Sequence, residues 1–208
     1  MLYSELQCSE AIHKAVERMG FAEMTEIQEK TIPVMLAGHD VIAKAPTGTG
    51  KTCAFGIPVA EHIVPENKYP QAVIMAPTRE LAQQIADELT QLTYFMLEVQ
   101  VACVYGGANM EKQAKRLAEG CQIVVATPGR LMDHYKHHTI DISHVTQIVL
   151  DEADEMLNMG FYKDVRHIIE MMKARKALSM FSATISREVM DIGWLYQHNA
   201  EEITVQPK

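Results

Sequence analysis

The chain has 208 residues, 48% hydrophobic and 6% aromatic, with a formal net charge of -8 at pH 7, which suits one ordinary globular domain. That charge excludes a protein gripping nucleic acid over its whole surface, because phosphate binding is driven by Lys and Arg, so any such contact is local. The longest uncharged apolar runs, such as AVIMAP and QIVVATP, fall far short of the roughly 20 residues that span a bilayer.

The N-terminus, MLYSELQCSE, has no basic segment leading into an apolar core, unlike a secretion signal, and the expected location is the cytoplasm. Residues 1–38 read as a helical extension of the domain, with Ser9 as an N-cap and Thr25 opening a second helix that Pro33 bends or ends. From residue 39 to 208, short β-rich runs alternate with helical segments: DVIAKA, QAVIMA, VQVACVY, CQIVVAT, QIVLDE, LSMFSAT and EEITVQ. Between them, RELAQQIADELTQL carries Leu81, Ile85, Leu89 and Leu92 on one helical face. Near-continuous apolar strands alternating with helices predict a doubly wound α/β domain, its mostly parallel sheet covered on both faces and its ligand sites beyond the C-terminal strand ends. The last run meets Pro207 and reads as the start of a linker.

Two motifs carry chemistry. APTGTGKT follows a strand and opens a helix, the context of a phosphate-binding loop. Its residues Thr47, Gly48, Thr49, Gly50 and Lys51 are candidates to cradle phosphates with backbone N–H groups, Lys51 neutralising the β/γ pair and the Thr52 hydroxyl holding Mg²⁺. Ala45 stands where the general pattern has its first glycine, which an ordinary negative φ tolerates. QIVLDEADEML then puts Asp151 and Glu152 at an apolar strand end, where carboxylates have no packing role. Asp151 suits Mg²⁺, and Glu152 suits orienting and deprotonating the water that attacks a γ-phosphate.

Asp151, Glu152, Ala153 and Asp154 spell the name of the DEAD-box RNA helicases, and the chain resembles the first, RecA-like P-loop NTPase domain of that family along its whole length. GFAEMTEIQ at 20–28 resembles its adenine-reading segment, PTRELA at 77–82 and TPGR at 127–130 its RNA-contacting elements; the glycine pair at 106–107 and SAT at 182–184 complete the set. In this family Ala45 is the expected residue. The resemblance implies ATP and Mg²⁺ as cofactors, with Gln28 on the adenine edge and the aromatic Tyr3 beside it. Thr25-x-x-Gln28 equally fits a capping box, and Met24 replaces the family's usual proline. It further implies that Pro77, Thr78, Arg79, Gly107, Thr127, Gly129 and Arg130 hold the backbone of one RNA strand without reading sequence, and that Asp154, Ser182 and Thr184 couple nucleotide state to RNA state. Thr78 and Thr127 are also candidate N-caps, and Ser182 and Thr184 equally suit capping a helix near Ser186.

The family's second RecA-like domain, with its arginine finger, has no counterpart in these residues, so the isolated chain is expected to be monomeric, to bind nucleotide weakly and to hydrolyse it slowly. A DNA-directed translocase, an ATP-gated RNA clamp and a docking module with a vestigial site are the rival readings. His134, His137 and His138 are expected on a solvated helix end, the methionines in the core, and Cys8, Cys53, Cys103 and Cys121 as buried reduced thiols.

Overall fold

The computed structural model describes residues 1–46 and 50–206. Each apolar run becomes a strand: β1 (Val41–Lys44), β2 (Ala72–Met75), β3 (Val101–Val104), β4 (Ile123–Ala126), β5 (Gln147–Asp151), β6 (Ala177–Ser182) and β7 (Glu201–Thr204). They form one sheet in the order β3-β4-β2-β5-β6-β1-β7, with every pairing parallel. The central strands β4, β2 and β5 are buried at every position. Helices cover both their faces, so no polar alternation is required of them.

Successive strand residues feed two cores. Ala72 and Ile74 face the side covered by α1 (Glu10–Arg18), α2 (Glu26–Leu36), α3 (Lys51–Glu61) and α4 (Arg79–Leu92). Val73 and Met75 face α5 (Met110–Ala118), α6 (Pro128–Lys136), α7 (Ala153–Met156), α8 (Tyr162–Met171) and α9 (Arg187–Tyr196). Ile12 and Val16 of α1 and Ile27 and Ile32 of α2 join the same apolar cluster as Val41 and Phe55, which binds residues 1–38 to the sheet. Along α4, Ile85, Leu89 and Leu92 are fully buried and Leu81 lies at the margin.

Local chemistry sets the helix starts. Ser9, Thr78 and Ser186 accept from the N–H groups of Ile12, Leu81 and Val189, each three residues on. Pro33 does not end α2, which continues to Leu36; packing against the sheet outweighs the hydrogen bond that proline cannot donate. Cys53 and Cys121 are buried as expected, whereas Cys8 and Cys103 are partly exposed; all four are free thiols. Among the described residues no helix is long and apolar enough to cross a membrane.

Candidate functional site

Because the strands run in parallel, their C-terminal ends share one edge of the sheet, and each motif lies just beyond one of them. The phosphate loop follows β1, PTRELA β2, the glycine pair β3, TPGR β4, the acidic motif ends β5, and SAT begins on the last residue of β6. The strand order therefore sorts the motifs into two adjacent groups, which chain order interleaves. Acidic and phosphate-loop residues occupy the β5-β6-β1 half, and the arginine- and glycine-bearing motifs the β3-β4-β2 half.

In the first half, Thr47, Gly48 and Thr49 lie outside the described residues. Gly50 has φ 82°, a left-handed conformation that glycine adopts without strain, and a Cβ there would stand 2.7 Å from Gln28 Nε2. Lys51, 7% exposed, opens α3; its Nζ lies 3.7 Å from Asp151 Oδ1 and has no hydrogen-bond partner among the described residues. A buried ammonium without hydrogen bonds is costly, and this one fits an anion such as a phosphate. Burial raises the Asp151 carboxyl against the pull of Lys51 and of the Glu152 N–H, 2.9 Å away, and leaves it at about 6. Thr52 lies beside the half-buried Glu88 of α4, whose carboxyl is pushed up by burial, with Thr52 pulling it back. Thr52 and Asp151 thus supply an oxygen donor set that suits Mg²⁺.

Glu152 has φ 48° and ψ 51°. A non-glycine residue in that region is strained, and such strain concentrates at functional positions. Beside it Asp154 accepts from the Thr184 hydroxyl at 2.7 Å and the Thr184 N–H at 3.1 Å, while its own N–H donates to Ser182 Oγ at 3.0 Å. Ser182 Oγ in turn donates to the Thr184 carbonyl at 2.6 Å. Ser186, not these hydroxyls, caps α9.

Gln28, 4% exposed, makes the capping contact and two others. Its Oε1 accepts from the Thr25 N–H at 3.0 Å and from the Tyr3 hydroxyl, and its Nε2 donates to the Gly50 carbonyl at 3.1 Å. The capping residue therefore also touches the phosphate loop. Tyr3 is 5% exposed and stacks at 6.2 Å on Phe21, so the solvent-facing ring here is Phe21, at 40% exposure. Met24, buried, ties the N-terminal segment to the stretch before α2 by donating its N–H to the Met1 carbonyl at 3.0 Å, beside the antiparallel bridge between Leu2 and Glu23.

In the second half, Pro77 is buried, Thr78 caps α4, and Arg79 is exposed with its guanidinium 4.8 Å over the Tyr105 ring. Gly107, at φ 84°, is exposed beside it. Thr127 occupies the N-cap position of α6 without a side-chain cap bond, Pro128 is the first helical residue, and Gly129 follows. Arg130, read from the sequence as a phosphate contact, is 12% exposed: Nη1 donates to the Ala108 carbonyl and to Gln113 Oε1, each at 3.0 Å, and Nε, 3.7 Å from Asp133, has no hydrogen-bond partner among the described residues. The loop after β3 brings carbonyls within reach of α6, so this cation braces the protein. His134 departs from expectation too. It is fully buried, its Nε2 3.0 Å from Gln113 Oε1 and its Nδ1 2.7 Å from Thr139 Oγ1. Only His137 and His138 are exposed at that helix end, and the described residues contain no cluster suited to a metal ion by His, Cys and carboxylate count.

Tyr105, Gln113 and Glu88 were missed by sequence reading. Gln113 had a signal, because it sits four residues before the buried Leu117, a polar residue on the inward stripe of α5.

A family model described as DEAD/DEAH box helicase matches residues 25–192. The chain is 47% identical over its full length to an ATP-dependent RNA helicase CshA from Limosilactobacillus reuteri, covering 42% of it. It is 42% identical over 99% of its length to the DEAD-box ATP-dependent RNA helicase CshA of Bacillus subtilis, again covering 42%. Among solved structures, a DEAD box protein from the hyperthermophile Methanococcus jannaschii superposes with TM-score 0.92 at 39% identity, over 99% of this chain and 56% of that one. A hypothetical ATP-dependent RNA helicase from Sulfolobus tokodaii gives TM-score 0.87 at 40% identity, over 95% of this chain and 57% of that one. The chain thus spans about two-fifths of the length of these curated relatives, at 42% of each.

Proposed function

The chain belongs to the DEAD/DEAH box helicase family, and from that premise we propose that it is the ATP- and RNA-binding first RecA-like domain of a cytoplasmic ATP-dependent RNA helicase. The observation that carries this is the pairing of Lys51 with Asp151: a buried ammonium without a hydrogen-bond partner among the described residues, 3.7 Å from a buried carboxylate, at the N-terminus of a helix. Phosphate on Lys51 and a divalent cation on Asp151 offset both burial costs at once.

In this reading Lys51, Gly50 and the loop residues Thr47, Gly48 and Thr49 bind the triphosphate. Thr52 and Asp151 would hold Mg²⁺, which would supply charge neutralisation to the bound phosphates. Glu152 orients the attacking water and takes its proton; the strain at its backbone favours hydrolysis over a clamp that only binds. Gln28 reads adenine with the Nε2 hydrogen not spent on Gly50, and Tyr3 supports it from behind. Thr78, Arg79, Gly107, Thr127 and Gly129 contact one RNA strand through its sugar-phosphate chain, with Pro77 and Arg130 shaping the surface. The hydrogen bonds between Asp154 and Thr184 and between Asp154 and Ser182 link the acidic motif to SAT, so that motion at one is felt at the other. Unwinding then follows from ATP-driven closure of this domain and a second RecA-like domain over one strand.

Fluorescent adenine nucleotide titrated into the purified 208-residue chain tests the site. Wild type binds in the presence of Mg²⁺, Lys51→Ala weakens binding at least about tenfold, and Gln28→Ala loses preference for adenine over guanine. Hydrolysis by the chain alone stays slow, since an arginine finger is worth about 10³ to 10⁵ in rate. Fast RNA-stimulated turnover that Lys51→Ala abolishes overturns the dependence on a second domain, and absence of nucleotide binding overturns the function itself.

A further inference from the structure

We infer that Gln113 is a positioning residue of the RNA surface, fixing the loop after β3 to the first turn of α6; the inference rests on the RNA-binding reading above. Its amide is 8% exposed and works in two directions. Nε2 donates to the Tyr105 carbonyl at 3.0 Å, and Oε1 accepts from Arg130 Nη1 and from His134 Nε2, both at 3.0 Å. With Oε1 the acceptor, His134 is the Nε2–H tautomer, and its Nδ1 accepts from the Thr139 hydroxyl at 2.7 Å.

Arg130 Nη1 also holds the Ala108 carbonyl at 3.0 Å. The two carbonyls that flank Gly106 and Gly107 are thereby tied to α5 and α6, and the exposed glycines between them cannot wander independently. Tyr105 extends the tie to α4: Gln83 Nε2 donates to its hydroxyl at 3.0 Å, and Arg79 lies 4.8 Å over its ring. One side-chain amide therefore sets the spacing between Arg79, Gly107 and Gly129. A buried hydrogen-bond network of this kind rigidifies what it joins, and a surface ordered before the strand arrives loses less entropy on binding. An apolar residue of similar size fills the volume but strands the Arg130, His134 and Tyr105 groups.

Gln113→Met and Gln113→Glu test this in the 208-residue chain, read by amide hydrogen exchange of residues 105–109, by titration with fluorescent single-stranded RNA at low salt, and by nucleotide titration. Gln113→Met is expected to speed exchange and weaken RNA binding, each about tenfold, with nucleotide affinity unchanged. Gln113→Glu keeps the acceptor for Arg130 and His134 but sets an oxygen against the Tyr105 carbonyl, and regains part of the RNA affinity. Unchanged exchange in Gln113→Met, or equal loss of RNA and nucleotide affinity in both variants, overturns the inference. Wild type that binds no RNA removes the underlying function as well, whereas wild-type binding matched by both variants removes the inference alone.

Discussion

At residue scale, Glu152 adopts the left-handed region, where a β-carbon crowds the following carbonyl. That costs an L-residue about 1–2 kcal/mol, and Glu152→Gly is expected to recover about 1 kcal/mol of it, raising Tm by about 2–4 °C for a chain of this size. Hydrolysis in any active form of the protein disappears in the same variant, and calorimetry beside a phosphate-release assay checks both. Asp154 shows the opposite economy. Burial pushes its carboxyl up, but the Thr184 and Ser182 side chains and the Glu155 and Thr184 N–H groups outweigh burial and hold it below the usual range. A depressed carboxylate stabilises the fold above its unfolded pKa and loses that contribution as pH falls through the folded value. Thr184→Val therefore lowers stability by about 1 kcal/mol at pH 7, and the gap from wild type closes as pH drops below about 4. Denaturant titrations at neutral and acid pH measure it. Gln28 shows what a sequence leaves open at this scale: its capping spacing was legible, but contact with Gly50, 22 residues on, required the fold.

At element scale, α3 and α4 meet at Gly56, where a Cβ would lie 2.8 Å from Leu92 Cδ1 and 3.3 Å from Leu89 Cδ2. Both leucines are fully buried and have nowhere to turn. Gly56→Val is expected to cost about 2 kcal/mol by overpacking, lowering Tm by about 4–8 °C, and a thermal melt checks it. This approach holds Thr52 of α3 beside Glu88 of α4, so the same variant disturbs the surroundings of Thr52. Strands and most helix starts were legible because buried apolar runs and side-chain caps are local signals. Pro33 inside α2 was not, because tertiary packing outweighs local preference there.

At the scale of the whole molecule, a net charge of -8 confines any RNA contact to part of the surface, and the proposed reading puts it at the C-terminal ends of β3, β4 and β2. The sequence by itself determined the α/β class, the strand count, the phosphate loop with its acidic partner, and the family, since each is written in contiguous residues whose spacing states its own chemistry. Only the tertiary structure decided that the phosphate-loop motif after β1 lies beside the acidic and SAT motifs of β5 and β6, with the motifs after β2, β3 and β4 grouped next to them, because parallel crossovers reorder the strands as β3-β4-β2-β5-β6-β1-β7. It alone decided that Arg130 and His134 face inward, for their common partner Gln113 lies 17 and 21 residues upstream and reaches them only when α5 and α6 pack on the same face of the sheet.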